Sequence, residues 1–125
     1  MPTALNTRFF RAAVIYAVLG MSAGIYMAAS HDHSLAPAHA HFLLLGWVSM
    51  FLYGVFYKLH PAAQGSLAAW QFWIANVGLI IMVVGIALIV TGSPERGEPF
   101  AGIGALINIT GMVLFAVNVF RGVRA

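Results

Sequence analysis

Cysteine is absent from the 125 residues, which excludes disulfides, thiolate metal sites, iron–sulfur clusters and covalent Cys-x-x-Cys-His attachment of a haem. Charge is scarce as well: six Lys/Arg and three Asp/Glu leave a net charge of +3. So thin a set of cations, placed at segment ends, is not a nucleic-acid footprint, and no DNA or RNA partner is expected. What fills the chain is apolar. Hydrophobic residues make up 62% of it, against about half in a soluble domain, so the expected surroundings are a lipid bilayer.

A helix needs about 20 apolar residues to cross a hydrocarbon core of about 30 Å, and four runs reach that length: about 9–29, 38–59, 67–91 and 99–120. The expected fold is all-α, a single four-helix transmembrane domain over residues 1–125 whose short connections make consecutive helices antiparallel neighbours. Asn6-Thr7 and Ser66 are expected N-caps, and Pro37, Pro61, Pro94 and Pro99 are expected to mark the connections. The opening run is too long for a signal-peptide h-region and no A-x-A-like site precedes a soluble domain, so it reads as a retained first helix. A cleaved signal would leave three.

Arg8, Arg11, Lys58, Arg121 and Arg124 fall on one side of this arrangement, whereas Arg96 falls on the other with Asp32, Glu95 and Glu98. A bias of five cations to one predicts N-in/C-in topology, with both termini cytoplasmic and the 30–38 and 91–98 segments outside. In a bacterium this is the inner membrane. Gly20 and Gly24, Gly78 and Gly85, and Gly104 and Gly111 lie on single helix faces, where small residues let backbones approach closely in lipid. Asn76, Asn108 and Asn118 are costly against lipid and are expected to point into the bundle or a subunit interface.

All five histidines fall in the segment HDHSLAPAHAHFLLLGWVSMFLYGVFYKLHP. His31 and His33, flanking Asp32 in a loop, are weak candidates for copper or zinc that need a further ligand, and otherwise are solvated residues. His60, beside Pro61, reads as an interfacial residue. His39 and His41 head the second span. Two positions apart at about 100° per residue, they project about 200° apart, so a straight helix cannot turn both onto one ion. His39 heads the stripe Leu43, Gly46, Met50, Tyr53 and Tyr57; His41 heads Leu45, Val48, Leu52 and Leu59. A helix N-terminus disfavours imidazolium, so both rings should be neutral lone-pair donors, the form a haem iron takes. Gly46 and Gly54 offer flat surface for a macrocycle and Phe42, Trp47 and Phe51 could line it. The alternative is a pair of ordinary interfacial histidines with aromatic-belt neighbours.

The stretch His39-Ala40-His41-Phe42, followed by Gly46, Gly54-Val55-Phe56-Tyr57 and Pro61, resembles a haem-ligating helix of the catalytic subunit (subunit I) of the haem-copper oxidase and nitric oxide reductase superfamily. In that family the first histidine of such a pair ligates a high-spin haem and the second a low-spin haem. The resemblance implies that His39 and His41 are axial ligands. The family subunit arranges twelve helices as three pseudo-repeats of four, so three copies of a four-helix chain would rebuild its ring. Its copper site needs three histidines on another motif, which this sequence does not contain.

The function expected is a haem b-binding membrane cytochrome, a homo-oligomer with a trimer favoured. A bis-His low-spin haem is shared between His39 of one protomer and His41 of the next, for electron transfer or a redox role with an unknown partner. This is a haem-binding or electron-transfer protein more than a complete oxidase. The expected site comprises His39, His41, Phe42, Gly46, Trp47, Met50, Gly54 and Tyr57, with Arg96 as a cation for a propionate and no catalytic residue. Copper is a second candidate cofactor. The alternatives are a copper- or haem-binding accessory or gas-sensing membrane protein, or a structural subunit of a larger complex.

Overall fold

The computed structural model describes residues 4–122; Arg124, one of the cations assigned to the basic end, lies outside the described residues. Four helices are long and apolar enough to cross a membrane: α1 (Leu5–Ser30), α2 (Ala36–Leu59), α3 (Ser66–Val90) and α4 (Pro94–Gly122). A short 3-10 turn, Pro61–Ala63, sits between α2 and α3. No strand occurs among the described residues.

The glycines build two antiparallel hairpins. On α1, Gly20 packs against Leu43 and Phe42, and Gly24 against His39, while Gly46 and Gly54 of α2 receive Tyr16 and Phe10. The pairing runs 24 to 39, 20 to 43, 16 to 46 and 10 to 54, the mark of opposed chains. Between α3 and α4 the approach is backbone to backbone. A methyl group on Gly85 would run into Ala101 and lie 2.8 Å from the Gly97 carbonyl oxygen, and one on Gly78 would lie 2.9 Å from the Asn108 nitrogen. Lipid gives helices little hydrophobic reason to associate, so close dispersion contact along small residues holds such a pair together.

Larger side chains join the hairpins. Phe9, buried on α1, stacks on Tyr57 at 5.5 Å between ring centres and meets Phe72 edge-on at 5.0 Å. Tyr53 and Phe115 meet at 4.6 Å. Polar links cross the same seam: the Tyr16 hydroxyl donates to Asn76 Oδ1 at 2.6 Å, the Tyr57 hydroxyl to Gln71 Oε1 at 3.1 Å, and Asn118 Nδ2 to the Tyr57 hydroxyl at 3.0 Å. Asn108 Nδ2 donates to the Gly104 carbonyl at 3.0 Å. All three intramembrane asparagines are buried or half-buried in this way, because an amide facing lipid would have no partner.

The helix ends depart from expectation. Helix α1 begins at Leu5 after Ala4, so Asn6 and Thr7 lie inside it; the Asn6 N–H is taken by Gln64 Oε1 at 3.2 Å, a cap supplied from another connection. Ser66 is the first residue of α3 and Gly65 precedes it, with no side-chain cap. Helix α4 starts at Pro94, whose ring suits the first helical position, and runs through Pro99. Pro99 therefore does not mark the connection. Two residues of α4 before it, Arg96 and Gly97, anchor the helix start by donating their N–H groups to the Ser93 carbonyl at 3.1 and 3.0 Å, and membrane helices tolerate the backbone acceptor that such a proline frees.

Helix α2 is not straight α throughout: Phe42–Val48 is π-helical. Ser49 marks its end, the hydroxyl bonding the Leu44 carbonyl at 2.8 Å, five residues back. The wider turn brings Leu45 against the core although the straight-helix count put it on the outer stripe. The rest of the phasing persists: Gly46, Met50, Tyr53 and Tyr57 are buried, and Val48, Leu52 and Leu59 are exposed.

Candidate functional site

His39 and His41 both lie in the α-helical opening of α2, before the π segment, so the α-helical period sets their directions and they face opposite ways. His39 is half-buried and turned toward α1. Its ring lies over Gly24, where a Cβ would come within 3.1 Å of Cε1 and 3.5 Å of Nε2. A larger residue there would press on the ring. His39 Nδ1 is buried without a hydrogen-bond partner, a cost of about 1–3 kcal/mol in apolar surroundings. The ring borders an apolar cavity of about 250 Å³ formed by Leu19 and Gly20 of α1, Phe42 of α2, and Val83 and Ala87 of α3; His39 is the one polar side chain in its wall.

His41 is exposed on the outer face of α2, and its Nδ1 lies 2.8 Å from the carbonyl oxygen of Pro37. A carbonyl only accepts, so Nδ1 carries the proton and Nε2 keeps its lone pair, directed away from the helix. Metal-bound histidines are typically oriented by such a bond from the second nitrogen to a carbonyl or carboxylate. The sequence singled out Pro37 only as the mark of a connection, not as a partner of His41. The signal for it is its position four residues before His41, within reach of a side chain that leans back toward the N-terminus of its helix.

The remaining site candidates scatter. Phe42 borders the His39 cavity and meets Tyr16 edge-on at 5.2 Å. Gly46 is filled by Tyr16 and Leu79, and Gly54 by Phe10, so α1 and α3 of the same chain occupy the flat surface these glycines were expected to give a macrocycle. Trp47 packs half-buried against Phe51 at 5.2 Å. Met50 and Tyr57 are core residues, 1% and 0% exposed. Arg96 is exposed and borders a separate depression with Gly92, Ser93, Pro94 and Glu95, sharing no wall with the His39 cavity.

His31 and His33 are exposed in the first connection, His31 closing α1 in the left-handed conformation at φ 56°. Asp32 between them accepts from the Ser34 hydroxyl and from the Ser34 N–H at 3.0 Å, and these bonds hold its carboxyl below the ordinary range. Among the described residues no three His, Asp or Glu side chains converge on a point where they could hold a metal ion. The copper or zinc site considered for His31 and His33 finds no further ligand among the described residues. His60 lies tilted against Phe56 with ring centres 4.7 Å apart, at the opposite end of α2.

Over 73 residues the chain is 33% identical to cytochrome c oxidase subunit 1 of Rhodobacter capsulatus, a match that takes in 53% of this chain and 13% of that protein. The chain thus spans about an eighth of the relative's length. This match supports a distant relation to the haem-copper oxidase family. No family model matches, and no solved structure does.

The donor set fits a haem. Two imidazoles on opposite faces of one helix, one with its tautomer set by a carbonyl and the other beside an apolar cavity, suit axial ligation without cysteine. One chain does not bring the two together. The cavity of about 250 Å³ is also smaller than the roughly 300–1,000 Å³ of sites that enclose a sizeable ligand, so it can admit an edge of a macrocycle and no more.

Proposed function

We propose that this chain is a haem-binding membrane protein in which His39 of one copy and His41 of the next are the axial ligands of a shared b-type haem. The observation that carries this reading is the Nδ1–Pro37 bond of His41 at 2.8 Å, which leaves a lone pair pointing outward from the bundle on the face opposite His39. A heterologous contact that sets the His41 face of one copy against the His39 cavity of its neighbour satisfies every copy once the ring closes. Twofold pairing would bring like faces together. A trimer is the favoured ring, since three copies supply twelve helices. Both termini are cytoplasmic and the membrane is the bacterial inner membrane, as the clustering of Arg8, Arg11, Lys58, Arg121 and Arg124 supports.

Held between two imidazoles, such a haem supplies one-electron chemistry. The chain's own residues do the positioning. Pro37 fixes the His41 tautomer, Gly24 makes room for the His39 ring, and Leu19, Phe42, Val83 and Ala87 keep water from it. The physiological role that follows is electron transfer or redox signalling.

The test is complementation. His39→Ala and His41→Ala should each abolish the low-spin absorption spectrum of the purified protein. Mixed oligomers of the two, isolated through different tags, should regain part of it, because some interfaces then carry both intact ligands. Mixed oligomers with no recovered signal would overturn the shared site, and unchanged spectra in both single variants would overturn haem ligation itself.

A further inference from the structure

We infer that a cavity at the basic end of the bundle is a binding site for the phosphate of an anionic phospholipid headgroup. The cavity, about 620 Å³, lies among the end of α2, the Pro61–Ala63 turn, the start of α3 and the end of α4, at the opposite end of α2 from His39. Its polar wall consists of His60, Ser66, Asn118 and Arg121, and its volume falls within the range of sites that hold small molecules.

Three independent features select an anion. First, every acidic side chain of the protein, Asp32, Glu95 and Glu98, belongs to the other end of the bundle, while Arg8, Arg11, Lys58 and Arg121 belong to this one. The local field is positive, and among the described residues no acidic side chain lies at this end to compete for Arg121. Second, the wall includes the opening of α3, a helix of 25 residues without a side-chain cap. Its first intrahelical bond is donated by Ala69 to the Gly65 carbonyl at 3.1 Å, so the N–H groups of Ser66 and Leu67 have no partner within the helix. Third, Asn118, 7% exposed, borders the cavity with its amide nitrogen held by the Tyr57 hydroxyl at 3.0 Å, which puts an ordered polar side chain in the wall.

The source of the phosphate is a lipid because the polar wall continues into apolar surface. Leu59 and Leu67 line the same cavity, and Leu59 is 70% exposed, so a headgroup seated on Arg121 has acyl chains beside the bundle without leaving the membrane. Basic pockets between transmembrane helices are a recurrent headgroup site. Arg121 offers two parallel donors to a phosphodiester, which a lysine cannot.

The experiment is native mass spectrometry of the full chain in detergent with phosphatidylglycerol or phosphatidylcholine at equal concentration. Phosphatidylglycerol should be retained preferentially. Arg121→Ala should weaken that retention by about tenfold, the loss of one charge-assisted hydrogen-bond set. Ala62→Trp, which fills the cavity and leaves every charge in place, should also abolish it. Lys58→Ala, a cation outside the cavity wall, should leave it within about twofold. Thermal melts without added lipid show which variants fold, and if Arg121→Ala does not, Ala62→Trp decides alone. Equal retention of the two lipids, equal losses in Arg121→Ala and Lys58→Ala, or an Ala62→Trp variant that still binds would overturn the site. Displacement of the lipid by inorganic phosphate would overturn the lipid assignment.

Discussion

Adding one methyl group to α3 at Gly85 and one to α4 at Gly102 should have opposite effects on stability. A Cβ on Gly85 meets only backbone: it collides with the Ala101 nitrogen and stands 2.8 Å from both the Ala101 Cα and the Gly97 oxygen. Ordinary contact begins near 3.4 Å, so the two helices must part by more than half an ångström. No side chain can rotate to absorb the shift. Parting them also loosens the contacts of Gly97 with Ile89 and of Gly104 with Met82 along the same seam. Overpacking of this kind costs about 1–3 kcal/mol, against roughly 1 kcal/mol gained from the better helix propensity of alanine. The net for Gly85→Ala is a loss of up to about 2 kcal/mol. Gly102 has nothing within 4 Å of the added carbon, so Gly102→Ala should keep only the gain, about 0.5–1 kcal/mol. Reversible unfolding in mixed micelles, followed by helical circular dichroism, measures both. A Gly85→Ala protein as stable as the Gly102→Ala protein would refute the backbone-contact account of the α3–α4 hairpin.

Other predictions follow from the same geometry. Tyr57→Phe removes the hydroxyl that Gln71 and Asn118 share and should cost about 1–2 kcal/mol in the same unfolding assay; Phe72→Tyr, on a half-buried ring with no such partner, is the control that should not match it. Gly24→Ala should leave the fold intact while pressing on the His39 ring from 3.1 Å; on the proposed ligation its signature is a shifted or partly high-spin spectrum at unchanged helicity, and an unaltered spectrum would count against His39 as a ligand. Topology reporters fused after Ala125 and in the connection between Val90 and Pro94 should report opposite sides of the membrane, with the C-terminus cytoplasmic; a periplasmic C-terminus would invert the whole assignment.

Much of the fold was legible because it depends on composition and length. Four apolar runs of about 20 residues can do little else, and glycines seven apart on α3 and α4 announce a close helix pair before any partner is known. What those glycines face was not legible. Gly46 and Gly54 carry the same signal as Gly85, yet their nearest contacts are the Tyr16 and Phe10 side chains, and nothing local distinguishes the cases. The caps were misplaced for a related reason. Asn6 and Ser66 satisfy the composition of an N-cap, but the Asn6 N–H is served by Gln64 across 58 positions, a pairing that exists only after the hairpins dock. The π segment was equally hidden, since a change from i+4 to i+5 bonding alters neither hydropathy nor length.

The histidine pair shows where local reading stops. Spacing alone gives the opposed directions of His39 and His41, because both precede the π segment and keep the α-helical period. Their inequality comes from tertiary contact. His39 is pressed into the bundle over Gly24 with Nδ1 unpaired, and His41 stands outside it with Nδ1 bonded to Pro37 and Nε2 free. A helix that served only as a strut would have no use for either arrangement: the first leaves a polar atom without a partner in an apolar cavity, and the second organises an imidazole toward a surface that in a lone protomer faces lipid. On the proposed reading the surface outside His41 is the His39 cavity of another copy, and a flat, iron-bearing ligand between them would give the open His41 nitrogen its partner.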